Sequence, residues 1–137
     1  MIVDTSAIVA ILRGEPDADR YIEALSLVAE PLISAGTYLE TAIVIDSNRD
    51  PVLSGRLDDL LATARVKVEP VTERHAEIAR QAYRDFGKGS GHSAGLNLGD
   101  CFAYALARAS GEPLLFKGDD FTKTDVVSAR DHSTHSR

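Results

Sequence analysis

A single cysteine, Cys101, stands among the 137 residues, and tryptophan is absent. One thiol cannot close an internal disulfide, which fits a reducing compartment, so a cytoplasmic protein is expected. Long apolar runs are missing too: none approaches the ~20 residues needed to cross a bilayer, and no membrane partner is expected. No basic stretch precedes the apolar N-terminal segment, which argues against a signal peptide. Basic residues are in deficit, with 15 Lys and Arg against 21 Asp and Glu for a net charge of −6. That is the reverse of the usual nucleic-acid footprint. It does not exclude a nucleic-acid substrate, because carboxylates sharing a pocket favour a bound divalent cation, and the cation inverts the field that a phosphate meets. No internal repeat is visible, and the glycine-rich stretch Gly87 to Gly95 lacks the Gly-Lys-Ser or Gly-Lys-Thr of a phosphate-binding loop.

What is present is a regular alternation of short apolar runs and helical patterns, with 44% hydrophobic residues, enough for one ordinary core. Ile2-Val3, Pro31-Leu32-Ile33, Val66-Lys67-Val68 and Pro113 to Phe116 read as strands, and Val126-Val127 offers a fifth. Between them, apolar residues recur at helical spacing: Ile8, Ile11 and Leu12; Tyr21, Ile22 and Leu25; Leu39, Ile43 and Val44; Leu53, Leu57, Leu60 and Leu61; Ile78, Ala79, Ala82 and Tyr83. Ser34 and Thr72 are placed as helix caps, and Gly87 to Gly99 reads as a flexible connector before a helix that starts near Asp100 and stops at Gly111. Strands alternating with helices imply an α/β sandwich: a central parallel sheet of four or five short strands, flanked by helices in three layers. A single domain over 1–127 is expected, with a polar tail over 128–137 that contains His132 and His135.

Four acids touch apolar segments rather than solvated faces: Asp4, Glu40, Asp100 and Asp119. Asp4 ends the first strand, and Asp100 opens the late helix, so each can be a simple helix cap. Glu40 lies beside Leu39, Ile43 and Val44, where a carboxylate needs a partner; a capping box with Thr37 is the plainer account. Asp119 and its neighbour Asp120 follow the last strand and fit an ordinary turn. Taken jointly the acids say more, because strand ends of a parallel sheet converge at one edge, where ligands of open α/β sheets bind. Oxygen-only clusters suit hard cations, and such a cation can polarise a phosphate and lower the pKa of an attacking water.

Ile2-Val3-Asp4-Thr5-Ser6-Ala7, a helical Glu40, Gly99-Asp100 and Gly118-Asp119-Asp120-Phe121 together resemble the PIN domain, and more narrowly the VapC-type toxin ribonucleases of type II toxin–antitoxin systems. The resemblance implies a PIN-like fold and a Mg²⁺-dependent endoribonuclease (Mn²⁺ as substitute). It further implies an RNA substrate, neutralisation by a small VapB-type antitoxin and a homodimer. Carried over by motif, Asp4 and Asp100 would be the metal ligands, Glu40 would complete the acidic pocket, Thr5 or Ser6 would add polar contacts, and Asp119 would be the fourth acid. The family often closes with Thr-x-Asp, whereas Phe116-Lys117-Gly118 stands here, so Asp120 and Asp125 remain open for that role. Lys88 and His92 in the glycine-rich loop are candidates for phosphate contact. Two other classes compete. A phospho-acceptor receiver domain has similar length and an acidic pocket, with Lys117 as its late lysine, but Glu69-Pro70 stands where its acceptor Asp should end the third strand. A non-catalytic protein-binding module would use the acids only as helix caps.

Overall fold

The computed structural model describes residues 1–129; His132, His135 and the rest of the expected tail lie outside the described residues. Four very short strands carry the sheet: β1 (Ile2–Val3), β2 (Leu32–Ser34), β3 (Lys67–Glu69) and β4 (Leu114–Leu115), all parallel, in the order β3-β2-β1-β4. The connections are helical: α1 (Thr5–Leu12), α2 (Ala18–Ser26), α3 (Ala35–Asp46), α4 (Pro51–Thr63), α5 (Glu73–Phe86) and α6 (Leu98–Ser110). A 3₁₀ turn over Phe121–Lys123 follows β4. This is the parallel α/β sandwich that the alternation predicts.

Successive strand residues point to opposite faces of a sheet, and the chain uses that rule to build two cores. Val3, Ile33 and Leu115 face one cluster with Ile8, Ile11, Tyr21, Leu25, Ile45 and Leu57 from the first four helices. Ile2 and Leu114 face the other, with Ala82 of α5 and Ala103, Tyr104 and Leu106 of α6. The register Ile2↔Leu32 and Ile2↔Leu114 lines these alternating residues up across the sheet. Each fully buried Ile or Leu contributes roughly 1.5–3 kcal/mol, which offsets the few ladder bonds that two-residue strands can make.

Several expectations are corrected. The inward face of α3 is Thr37, Thr41 and Ile45, all buried, while Leu39 and Ile43 are each 58% exposed. Thr41 is tolerated inside because its Oγ1 donates back to the Thr37 carbonyl at 2.8 Å. Ile22 and Tyr83 are likewise exposed rather than core. Helix α6 begins at Leu98 with Asn97 as its cap, so Asp100 lies inside the first turn. The expected flexible connector is exposed over 88–93 but anchored at its end: Ala94 and Leu96 are buried, and Lys88 N donates to the Leu96 carbonyl at 2.7 Å. The fifth strand reduces to one bridge, Leu114↔Ser128, with Leu114 N donating to the Val127 carbonyl at 2.8 Å, and Ala129 beyond it is buried.

The strand order decides where a ligand can sit. From β1 the chain steps outward to β2 and β3, then returns to place β4 on the other side of β1. The direction reverses between β1 and β4, and the crevice outside the carboxyl ends of strands at such a point is where open α/β sheets bind ligands.

Candidate functional site

Asp4 leaves β1 at that crevice, with its backbone N–H donating to the Leu115 carbonyl of β4 at 3.0 Å. It is extended (φ −93, ψ 155) and caps α1, Oδ2 accepting from Ser6 N at 3.0 Å and from Ser6 Oγ at 2.6 Å. The capping account is therefore correct as far as it goes. It explains one oxygen only. Asp4 is 3% exposed, and its Oδ1 is buried with no hydrogen-bond partner among the described residues. Burial pushes its pKa up to about 6, the two Ser6 bonds pull it down, and the Glu40 charge adds to the rise.

Glu40 reaches the same place from α3. Its Oε1 accepts from Thr5 Oγ1 at 2.8 Å, and Thr5 Oγ1 also lies 2.8 Å from Thr41 Oγ1. The Thr37 capping box does not form, because Ser34 caps α3 through Gly36 N at 3.3 Å and Thr37 lies within the helix. What the Glu40 carboxylate rests on is Gly99: a Cβ there would overlap both its oxygens. One turn earlier, a Cβ at Gly36 would come within 2.5 Å of the Phe102 ring. Two glycines thus let α3 and α6 approach closely enough to bring Glu40 beside Asp100.

Asp100 is half-buried in a reciprocal box, its Oδ2 accepting from Asn97 N at 3.0 Å while its own N donates to Asn97 Oδ1 at 2.9 Å. Burial again dominates its rise to about 6, against the Asn97 bond, with the charges of Asp4, Asp120 and Glu40 all pushing upward. The charges felt at Asp4 and Asp100 are thus those of Glu40 and, at Asp100, of Asp4 and Asp120 as well. Asp119 and Asp120 are both exposed, and the Asp119 carbonyl serves Thr122, which donates from N at 3.2 Å and from Oγ1 at 2.6 Å. Asp125 is engaged elsewhere, by Tyr104 Oη at 2.5 Å and Arg108 at 3.6 Å.

Further polar contacts support the acids, among them those expected of Thr5 or Ser6. Ser6 Oγ also accepts from Lys117 N at 2.9 Å, stitching the ends of β1 and β4 together. Asn97 showed a readable signal, since Asn-Leu-Gly-Asp has the spacing of a capping box. The Lys117 side chain turns to Glu15 and to Asp17, 2.9 Å away, which raises its pKa and lowers that of Asp17. Cys101 is plain core, buried, with its thiol pushed up to about 11. Lys88 is exposed, and His92 packs edge-on against Phe86 at 4.9 Å.

A hard divalent cation fits the donor chemistry of this crevice: carboxylate oxygens only, one of them orphaned and buried, and neighbouring charges that add to the raised pKa of Asp4 and Asp100. Among the described residues no three His, Cys, Asp or Glu side chains stand grouped to hold such an ion as they are. Beside the acids runs an apolar groove of about 490 Å³, lined by Leu39, Ile43, Val44, Leu98 and Phe102 together with Glu40 and Gly99. Among the described residues no helix is long and apolar enough to cross a membrane.

Comparison with known proteins agrees with this architecture. The PIN domain family model matches residues 1–127. The chain is 60% identical over 131 residues to VapC ribonuclease Mb0625 of Mycobacterium bovis, covering 96% of this chain and 98% of that one. Among solved structures, Mycobacterium tuberculosis VapC20, described as a sarcin-ricin loop cleaving toxin, superimposes with a TM-score of 0.71 at 18% identity, covering 92% of this chain and 95% of that one. VapBC2 from Rickettsia felis, bound to a DNA fragment from its promoter, gives a TM-score of 0.73 at 15% identity, covering 93% and 94%. At such identities the structural likeness speaks for the fold.

Proposed function

Since the chain belongs to the PIN domain family, in its VapC-type branch, we propose that it is a Mg²⁺-dependent endoribonuclease toxin that hydrolyses RNA phosphodiester bonds. The observation that carries this reading is Asp4 Oδ1. A carboxylate retained only for capping would not need a second buried oxygen without a partner, at a cost of about 1–3 kcal/mol.

Asp4 and Asp100 are the proposed ligands, with Mn²⁺ as substitute, and Glu40 and Asp120 complete the acidic pocket; Asp119, beside Asp120, is the alternative fourth acid. Bound Mg²⁺ would supply Lewis-acid polarisation of a phosphate oxygen and a more acidic water. The chain's own residues orient the donors. Ser6 occupies Asp4 Oδ2 and leaves Oδ1 free, Asn97 holds Asp100 Oδ2, and Thr5 holds Glu40 Oε1. Asp4 and Asp100 each sit at a helix N-terminus, whose partial positive charge moderates the repulsion between them.

The apolar groove beside the acids supports a small VapB-type antitoxin as partner, since an apolar segment ending in a basic side chain would fill Leu39, Ile43, Leu98 and Phe102 and meet Glu40. A homodimer and a cytoplasmic location belong to the same proposal. The receiver alternative is disfavoured because Glu69 ends an edge strand, paired with Lys67 at 3.5 Å and remote in sheet order from β1 and β4. The test is cleavage of RNA by purified protein with Mg²⁺. Asp100→Asn is expected to abolish cleavage with the fold retained by circular dichroism, and full activity of that variant in saturating Mg²⁺ would overturn the assignment.

A further inference from the structure

Asp120 is carried by a stretch with little regular structure, from Gly118 (φ 95) through the short turn Phe121–Lys123 to Asp125. A carboxylate on such a stretch keeps its place only if the stretch is held from outside itself. Two anchors do this. Phe121 is buried, with its ring 5.2 Å from that of Phe116. Four residues further on, Asp125 Oδ1 accepts from Tyr104 Oη at 2.5 Å, and Oδ2 lies 3.6 Å from Arg108 Nη2.

The second anchor lies on a telling line. Asp100, Tyr104 and Arg108 follow one another at intervals of four along α6, so they share one face of the helix. The face that presents Asp100 at its N-terminal end grips Asp125 below. Of the two grips the tyrosine is the stronger. Arg108 and Asp125 are each about half exposed, and exposed ion pairs contribute little. Tyr104 is 6% exposed, with its ring in the core 5.8 Å from Phe86, so its hydroxyl is fixed by packing. Both oxygens of Asp125 are thereby occupied, which sets it apart from the acids of the crevice.

We propose that Asp125 is a positioning residue: held by Tyr104 and Arg108 on the helix that bears Asp100, it fixes the segment from Gly118 to Thr124 so that Asp120 faces Asp100. The inference rests on the cation-site reading above and adds to it a residue that touches neither RNA nor cation.

The experiment uses the full chain and Mn²⁺ alone as probe, by isothermal titration, with Tyr104→Phe, Asp125→Ala and Asp125→Asn. Tyr104→Phe removes only the hydroxyl and keeps the buried ring. Supporting groups around metal ligands are typically worth about tenfold or more in affinity, so Tyr104→Phe and Asp125→Ala are expected to bind Mn²⁺ about tenfold more weakly. Asp125→Asn keeps an oxygen that accepts from Tyr104 and is expected to restore binding. Hydrogen exchange of the backbone amides at 118–124 is expected to quicken in Tyr104→Phe while that of α1 stays as in the native chain. Native Mn²⁺ affinity in both Tyr104→Phe and Asp125→Ala would overturn the inference; if Asp125→Ala fails to fold, Tyr104→Phe and Asp125→Asn decide. A native chain that binds no Mn²⁺ would refute the cation-site reading itself, whereas unchanged exchange at 118–124 in Tyr104→Phe would refute the grip alone.

Discussion

Replacing Asp4 by asparagine tests the site through stability rather than activity. The Asp4 carboxyl rises from 3.8 to about 6 on folding. Between those values the unfolded chain has released the proton and the folded chain still holds it, so folding stability falls as pH rises through this window and levels off above about 6. At about 1.36 kcal/mol per pH unit the ionised group costs the fold roughly 3 kcal/mol at neutral pH. Asp4→Asn removes that cost. It also places an amide NH₂ where Oδ1 now lies, buried without an acceptor, at about 1–3 kcal/mol. In metal-free buffer the variant is therefore expected to be less stable than the native chain at pH 4 and equal or up to ~2 kcal/mol more stable at pH 7.5. Urea denaturation across this range with a chelator present measures the crossing. Mn²⁺ added at pH 7.5 should raise the native midpoint and leave that of the variant in place. Parallel stability curves for the two proteins from pH 4 to pH 7.5 would refute the reasoning, because they would mean that Asp4 is not buried as a strained carboxylate.

Gly99→Ala is a steric probe of Glu40: the new Cβ displaces the carboxylate, which is the flexible end of its side chain, and breaks the Thr5 bond. Stability should stay within ~1 kcal/mol of native, since alanine favours the helix, while RNA cleavage falls about tenfold or more; native cleavage by a normally melting variant would remove Glu40 from the site. Asp120→Asn is expected to slow cleavage and lower the titration of Asp100, followed by carboxyl NMR, because Asp120 is one of the charges that raise it. Asp119→Asn should leave both near native, and the reverse result would give the fourth position to Asp119.

Local patterns were legible where local physics decides. Ser34, Thr72 and Gly111 were found because caps and left-handed stops depend on one residue's chemistry, and each stands where it was expected. The face of α3 was misread because periodicity alone cannot tell a core from a groove. Leu39 and Ile43 have helical spacing, yet the side turned inward is Thr37 and Thr41; the Thr41 hydroxyl is spent on the helix backbone and on Thr5, while the Thr37 hydroxyl is buried with no partner among the described residues. The loop before α6 read as flexible from its glycines, but Ala94 and Leu96 are pulled into the core by partners far away in sequence.

The sequence by itself determined the parallel α/β class, the caps and the presence of acids at strand ends and helix starts, because these follow from the order of short apolar runs and the residues that punctuate them. Only the tertiary structure decided which acids meet. The reversal of strand order at β1 puts Asp4 beside β4, the close approaches at Gly36 and Gly99 bring α3 against α6, and Tyr104 of α6 holds Asp125 from the segment after β4. Those are contacts between residues tens of positions apart, and no local propensity encodes them.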